Sequence, residues 1–459
     1  MSKKKIPTER MRVMNSKDNG GWKQWGPYLS ERQWGTVRED YSHDGSAWDF
    51  FPHDHARSRT YRWGEDGILG ISDNKQNICF ALAMWNGKDP IIKERLFGLN
   101  GKEGNHAEDV KEYYYYLEST PTHSYMKGLY KYPQNEFPYS QLVYVNRQRT
   151  KNDPEFELID TGIFDNDEYF DVFVEYAKGE ERDILIEISV FNRSSKEATL
   201  HLLPTVWYRN TWAWGYSNEK PQMKASKKGC ISIQNFKIGD YQLHYEGKPE
   251  ILFCDNETNY KKLFGSENTS EFLKDGINDY VVHGKKEAVN PKKVGTKASL
   301  KYDLKIAGGE VAKVRLRLTQ KQFEDAFSNF DSVFEERKQE CDDFYEWLQK
   351  PIKNKDEKMV QRQSYAGLMW TKQYFYFNVN QWLNGDPSMP PPPEQRKHGR
   401  NSNWRHLSCE NIIHMPDKWE YPWFAAWDTA FHTIPICRID PWFAKRQLEI
   451  LLREYYMHP

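Results

Sequence analysis

The sequence predicts a chain of more than one domain, in which an amino-terminal antiparallel β-sandwich is followed by a helical domain. Three observations lead there. Hydrophobic residues alternate in short runs from about Trp22 to Gln320. Beyond Gln320 they recur at three- and four-residue steps. At 459 residues the chain also exceeds the usual size of a single domain.

Taken in order, Met1-Ser2-Lys3-Lys4-Lys5 is basic and is followed by polar sequence. It therefore predicts neither a signal peptide nor a membrane anchor, and residues 1–21 read as a disordered basic tail. Residues 22–320 read as the β-domain. Within them Arg182 to Val190 places Ile184, Ile186, Ile188 and Val190 on one face, and Lys313 to Leu318 alternates more cleanly still. Asp171 to Val174 and Thr199 to Leu203 read as further strands. No internal repeat of fixed period is present. Residues 321–355 read as a linker helix on the spacing of Phe323, Phe327, Phe330, Phe334, Cys341, Phe344 and Leu348. Pro351 and the charged run Lys353 to Lys358 separate it from a second helical stretch, near Met359 to Tyr376. Pro390 to Pro393 exclude helix and predict a long stiff loop of the kind that often carries function. Helical texture returns at Trp423 to His432 and at Pro441 to Tyr456. Only about a hundred residues follow the linker, too few for most helical barrels. The expectation is a fragment, or a chain completed by something else.

Composition narrows the function classes. Lys plus Arg number 65 against 66 for Asp plus Glu, so charge gives no reason to expect nucleic acid or an acidic membrane as partner. The six cysteines are widely spaced with no CxxC pair, which predicts a reducing, cytoplasmic setting rather than a disulfide framework or a zinc ribbon. Sequons at Asn192, Asn256 and Asn268 read as chance matches without a secretion signal. Aromatic residues make up 15% of the chain, with 17 Trp. Most belong in cores, but flat rings also cover the apolar C–H faces of sugars.

The densest segment runs from Trp404-Arg405-His406 through Met415 to His432, with Asp428 among apolar neighbours near a helix start. Aromatic, water-poor surroundings disfavour a carboxylate's ionised form, which suits a proton donor to a glycosidic oxygen. A helix N-terminus acts the other way, and spacing alone favours Asp428 as a cap of the following helix.

Four pieces of this chain resemble glycoside hydrolase family 63, the family of processing α-glucosidase I. Within it they are most similar to the bacterial branch of mannosylglycerate and glucosylglycerate hydrolases. The first is Glu94 to His106; the second is Tyr113 to Leu117 with Tyr130 to Gln134. The third is Trp382-Leu383-Asn384-Gly385-Asp386 running into Pro390 to Pro393 and Lys397 to Asn401, and the fourth is Met415 to His432. The resemblance implies a β-sandwich followed by an (α/α)6 barrel, of which residues 356–459 would form the first part. It implies an inverting α-glycoside hydrolase with Asp428 as general acid. Inversion needs a second carboxylate across a gap of roughly 6.5–9.5 Å. The family's base is a Glu late in the barrel, beyond this chain; Glu410 and Glu420 are candidates by residue type alone. The chain by itself would then be inactive. Trp382 and Asp386 match positions where the family contacts sugar. Trp404, Arg405, Tyr421 and Trp423 are further binding candidates, the rings for sugar faces and Arg405 for a carboxylate.

The other motifs add little. His53-Asp54-His55 would place two imidazoles on one side of a strand, but no third ligand group stands out. No spaced Asp/Asn calcium loop, no GxGxxG or GxxxxGK[ST] loop and no GxSxG elbow is present, so no metal and no cofactor is expected. Two readings remain. One is an enzyme acting on a small α-glucoside or α-mannoside; the other is a non-catalytic carbohydrate-binding or scaffold protein.

Overall fold

The computed structural model describes residues 6–16, 20–33, 47–106, 109–217, 219–226, 229–399, 402–415, 417–418 and 425–453. Alternation in the first half becomes two large antiparallel sheets, one of eight strands and one of nine. Asp183–Asn192 lies between Tyr169–Glu180 and Val311–Thr319 in the larger sheet, with Ile186 opposite both Tyr176 and Leu316. In the smaller sheet Lys297–Ile306 joins Thr205–Tyr208, Ala198–Leu202 and Glu250–Cys254. The inward faces close on one apolar core. Ile184, Ile186, Ile188 and Val190 meet Ile71, Phe80, Leu82 and Val206 there, as expected where two sheet faces pack against each other.

The outer face of the larger sheet is covered too. Leu185, Ala177 and Tyr125 pack against Phe330, Phe334, Cys341 and Phe344 of the helix Phe330–Leu348. That helix begins at Phe330 rather than near 321, and Phe323 lies instead against the Arg317 guanidinium, 3.9 Å from ring centroid to carbon. It is less a linker than a lid on the sheet.

Two further expectations are corrected. Residues 1–21 are not a solvated tail where described: Thr8–Asn15 form a helix with Glu9 and Val13 buried. The Glu9 carboxylate accepts from Thr122 N, Thr122 Oγ1 and Ser124 Oγ at 2.7–2.8 Å. Arg12 donates to both oxygens of Glu340 at 2.7 and 3.0 Å. Charge in this stretch is thus spent on docking, which a charge count alone does not distinguish from solvation. The second correction is at 372–376, read as helix. The helix Lys355–Trp370 stops, and Lys372–Asn378 is a strand paired with Ser408–His414. The run Tyr374-Phe375-Tyr376-Phe377 has the aromatic bias of a strand.

The rest of the second half is helical, in Val379–Asn384, Ala426–Ile439 and Pro441–Arg453. Ile436, Phe443 and Ala444 pack on Tyr374 and Ile412 of the hairpin and on Tyr28. These helices and one hairpin do not themselves draw a barrel. No helix among the described residues is long and apolar enough to cross a membrane. Asn192 and Asn256 are buried, with their amide groups donating to backbone and, for Asn256, to Glu65. Neither sequon is therefore presented to a glycosylating enzyme.

Candidate functional site

A cavity of about 400 Å³ lies on the seam between the β-domain and the helical half. Asn378 caps the helix Val379–Asn384 by accepting from Gln381 N. Gly385 at φ +76° then turns the chain into the proline loop, where a Cβ would meet Pro392. The loop is anchored across the seam, since Ser388 N donates to Trp214 O at 3.1 Å. Gly215 at φ +85° lets the two backbones approach there, because any side chain would strike Ser388.

Trp382 and Asp386 both line this cavity. Trp382 is 9% exposed, with the Arg396 guanidinium 3.6 Å from its ring centre. Asp386 is held by a two-pronged ion pair: Arg62 Nε donates to Oδ2 at 2.6 Å and Nη2 to Oδ1 at 2.9 Å. Arg62 also donates to Gln381 Oε1 at 2.9 Å and lies 3.5 Å from the Trp214 ring centre. Aromatic rings, an amide and a fixed charge pair around one pocket can stack on a sugar face and bond to its hydroxyls. Arg62 and Trp214 were not among the sequence candidates. No local motif marks them, because they come from turns far along the chain from Asp386.

Asp428 lies elsewhere. It is half-buried in the first turn of Ala426–Ile439. The next residue, Thr429, donates to His414 O at 2.9 Å. His414 ends one edge of the hairpin, opposite Lys372, while Asn378 leads into Trp382 and Asp386 from the other end. Six strand steps at ~3.3 Å each put the two ends of this strand pair about 20 Å apart. Asp428 is not among the residues that line the seam cavity. Trp404 packs beside His406 at the edge of the apolar cluster that includes Trp382 and Leu407, and Arg405 is exposed. Tyr421, Trp423 and Glu420 lie outside the described residues. Glu410 is bound by Lys75 at 3.2 Å and accepts from Tyr374 Oη at 3.2 Å.

One turn after Asp428, His432 meets His414 with their Nδ1 atoms 2.9 Å apart. His414 Nε2 donates to Leu368 O, so its Nδ1 accepts and His432 donates. Burial first, then the neighbouring His432 and Lys372, pushes the His414 imidazole down to about 3. Unfolded histidine takes a proton near pH 6.5, so between about 6.5 and 3 the unfolded state binds a proton that the folded state refuses. Stability should therefore fall as pH drops through that window, and His414 adds nothing to the slope above it. His414→Gln should show a smaller loss of Tm between pH 7 and pH 5 than the parent. Equal losses would exclude His414 as the cause.

His53 and His55 lie on a short helical turn, His53–Ala56, not on a strand. His53 packs its ring against Phe97 and Tyr139. Among the described residues the three-carboxylate group close enough to grip a metal is Asp109, Glu155 and Glu157. Its centre is taken by Lys111 Nζ, at 2.6, 2.7 and 2.7 Å from the three. Burial and the bond to Glu155 push the Asp109 carboxyl up to about 6. The carboxylates outweigh burial at Lys111 and hold its ammonium above the usual value.

The geometry thus defines a two-sheet β-domain joined to a helical segment, with an aromatic and polar cavity on the seam. No protein-family model matches the chain. It is 46% identical over 503 aligned positions to an uncharacterized protein of Saccharomyces cerevisiae, YMR196W, covering 99% of this chain and 46% of the relative. The chain therefore spans about half the length of that relative. Among solved structures, a chain titled as a putative kojibiose phosphorylase from human microbiome aligns with 44% of this chain and 22% of its own. With 10% identity and a TM-score of 0.19, that likeness carries no weight for fold or function.

Proposed function

We propose that the chain is the amino-terminal part of an inverting α-glycoside hydrolase that cleaves a small α-glucoside or α-mannoside, with Asp428 as general acid. The observation that carries the reading is an apolar stripe on the helix bearing Asp428. Trp427, Phe431 and Ile434 are 70, 61 and 66% exposed, and Leu448 and Leu452 are exposed on the next helix. A helix that buries Ile436 and Ile439 on one side and exposes apolar side chains on the other is one half of a further helix contact. A further helical layer packed there, completing a barrel, would enclose Asp428 beside Trp427 and give a proton donor its water-poor setting. The yeast relative, of which this chain covers 46%, has the length for such a layer.

In the proposed reaction Asp428 gives its proton to the glycosidic oxygen as the C1–O bond breaks. Water attacks C1 from the opposite face, and a carboxylate from the later part of the full-length protein takes its proton. The cytoplasmic setting suggested by cysteine spacing belongs to the same proposal.

The approach of Asp386 and Asp428 from opposite ends of the strand pair favours the second reading, a carbohydrate-binding or scaffold role. One experiment separates the two. Full-length protein is incubated with a panel of α-glucosides and α-mannosides, and the first-formed sugar is followed by proton NMR. The hydrolase reading expects the β-anomer from one of them. An α-anomer would exclude inversion, and binding without cleavage would establish the second reading.

A further inference from the structure

A second cavity, of about 480 Å³, opens on the other side of Trp214 and Gln381, which line both spaces. One wall is a column of near-parallel rings. Trp214 lies against Tyr376 with centroids 6.2 Å apart and planes at 7°, and Tyr376 lies against Tyr374 at 6.3 Å and 7°. Beside this column sits Arg209, only 5% exposed, its guanidinium carbon 5.1–5.4 Å from the three ring centres.

Arg209 is short of partners for a buried cation. Its Nη2 donates to Arg62 O at 3.1 Å, its Nε finds no acceptor, the Tyr374 hydroxyl is a further polar neighbour, and the buried Glu65 acts on it only through charge. Among the described residues no carboxylate stands at ion-pair distance from it. Buried arginines are normally paired, because a desolvated cation without an anion is costly. Two more cations line the space, Lys75 and Lys237. Lys75 is taken by Glu410 at 3.2 Å. Lys237 has no carboxylate partner among the described residues. Partial burial, then the charge of Arg209, holds its ammonium below the ordinary value. The lining carboxylates are Glu410, already engaged, and Glu219 on the exposed rim. An anion entering the cavity would relieve both unpaired cations at once.

We propose that this second cavity binds a small organic anion, with its phosphate or carboxylate group on Arg209 and Lys237 and its body against Trp214 and Tyr376. The guanidinium fork matches the paired oxygens of either group. The cavity is of a size for one sugar-sized molecule. The proposal is independent of the glycosidase reading, since it asks for binding and not for turnover.

Calorimetric titration of the full-length protein with glucose 6-phosphate, glucuronate and neutral glucose tests it. At least one anion should bind at least tenfold more tightly than glucose, and higher ionic strength should weaken it. Whichever anion binds identifies the group received. Arg209→Met should lower that affinity roughly ten- to hundredfold, the range for losing a hydrogen bond to a charged group. Should Arg209→Met fail to fold, Lys237→Ala decides, because Lys237 is exposed and holds no element together; a several-fold loss is expected there. Binding of glucose as tight as that of the anions, no binding of either anion, or unchanged affinity in Lys237→Ala would overturn the proposal.

Discussion

Replacing Asp428 by Asn in the full-length protein is expected to slow hydrolysis of an unactivated α-glycoside by roughly 10²–10⁴-fold, the usual contribution of a positioned proton donor. Asn keeps the shape of the side chain and removes the proton. The neighbouring anchor, Thr429 on His414 O, does not involve the carboxyl, so the helix should persist. The loss should also depend on the leaving group. An aryloxide departs without much protonation, whereas an alkoxide needs the proton, so the variant should retain more of its rate on an aryl α-glycoside than on an alkyl one. Measured kcat/KM on the two substrate types, with circular dichroism as the folding control, gives the answer. A variant that keeps its rate on both would remove Asp428 from the reaction.

The second large effect concerns the larger sheet. Arg317 donates through Nε and Nη2 to the two oxygens of Asp183 at 2.8 and 2.6 Å, and both side chains are almost wholly buried. Its Nη1 reaches Ala326 O at 2.7 Å and Asn329 Oδ1 at 2.8 Å, just ahead of the helix Phe330–Leu348. One guanidinium therefore fixes two neighbouring strands and the entry of the covering helix. Arg317→Met strands a buried carboxylate, and breaking a buried pair in this way costs about 3–5 kcal/mol. Removing both charges, in Arg317→Met with Asp183→Leu, should cost clearly less, because no ion is left without its partner. Urea denaturation of the two variants distinguishes the cases. Equal losses would mean that the loop contacts of Arg317, rather than its charge, carry its role.

The strands were legible because a two-residue period names a face as well as an element. Ile184, Ile186, Ile188 and Val190 do point into the common core. What alternation does not reveal is that the other face is covered as well, with Leu185 beneath Phe334. The helix-versus-strand error at Lys372–Asn378 has a related origin. Four successive aromatics satisfy either period, and the strand is decided by its partner Ser408–His414, some thirty positions away. At the seam, Trp382 and Asp386 could be found because they sit in one short motif. Arg62, Trp214 and Arg209 could not, because each is brought to the cavities by a turn whose position depends on the assembled sheets. Glu9 shows the same limit for charge, since a carboxylate that ties down a loop and one that faces water are spelled alike.

Lys111 settles how one corner of the β-domain depends on its surroundings. Three carboxylates drawn to a point can be held together by a calcium or magnesium ion. Here the cation is carried on the same chain, tethered by its own side chain and held in the ammonium form by the groups it binds. The segments carrying Asp109, Glu155 and Glu157 therefore come with their own counter-ion, supplied by one side chain of the same strand region.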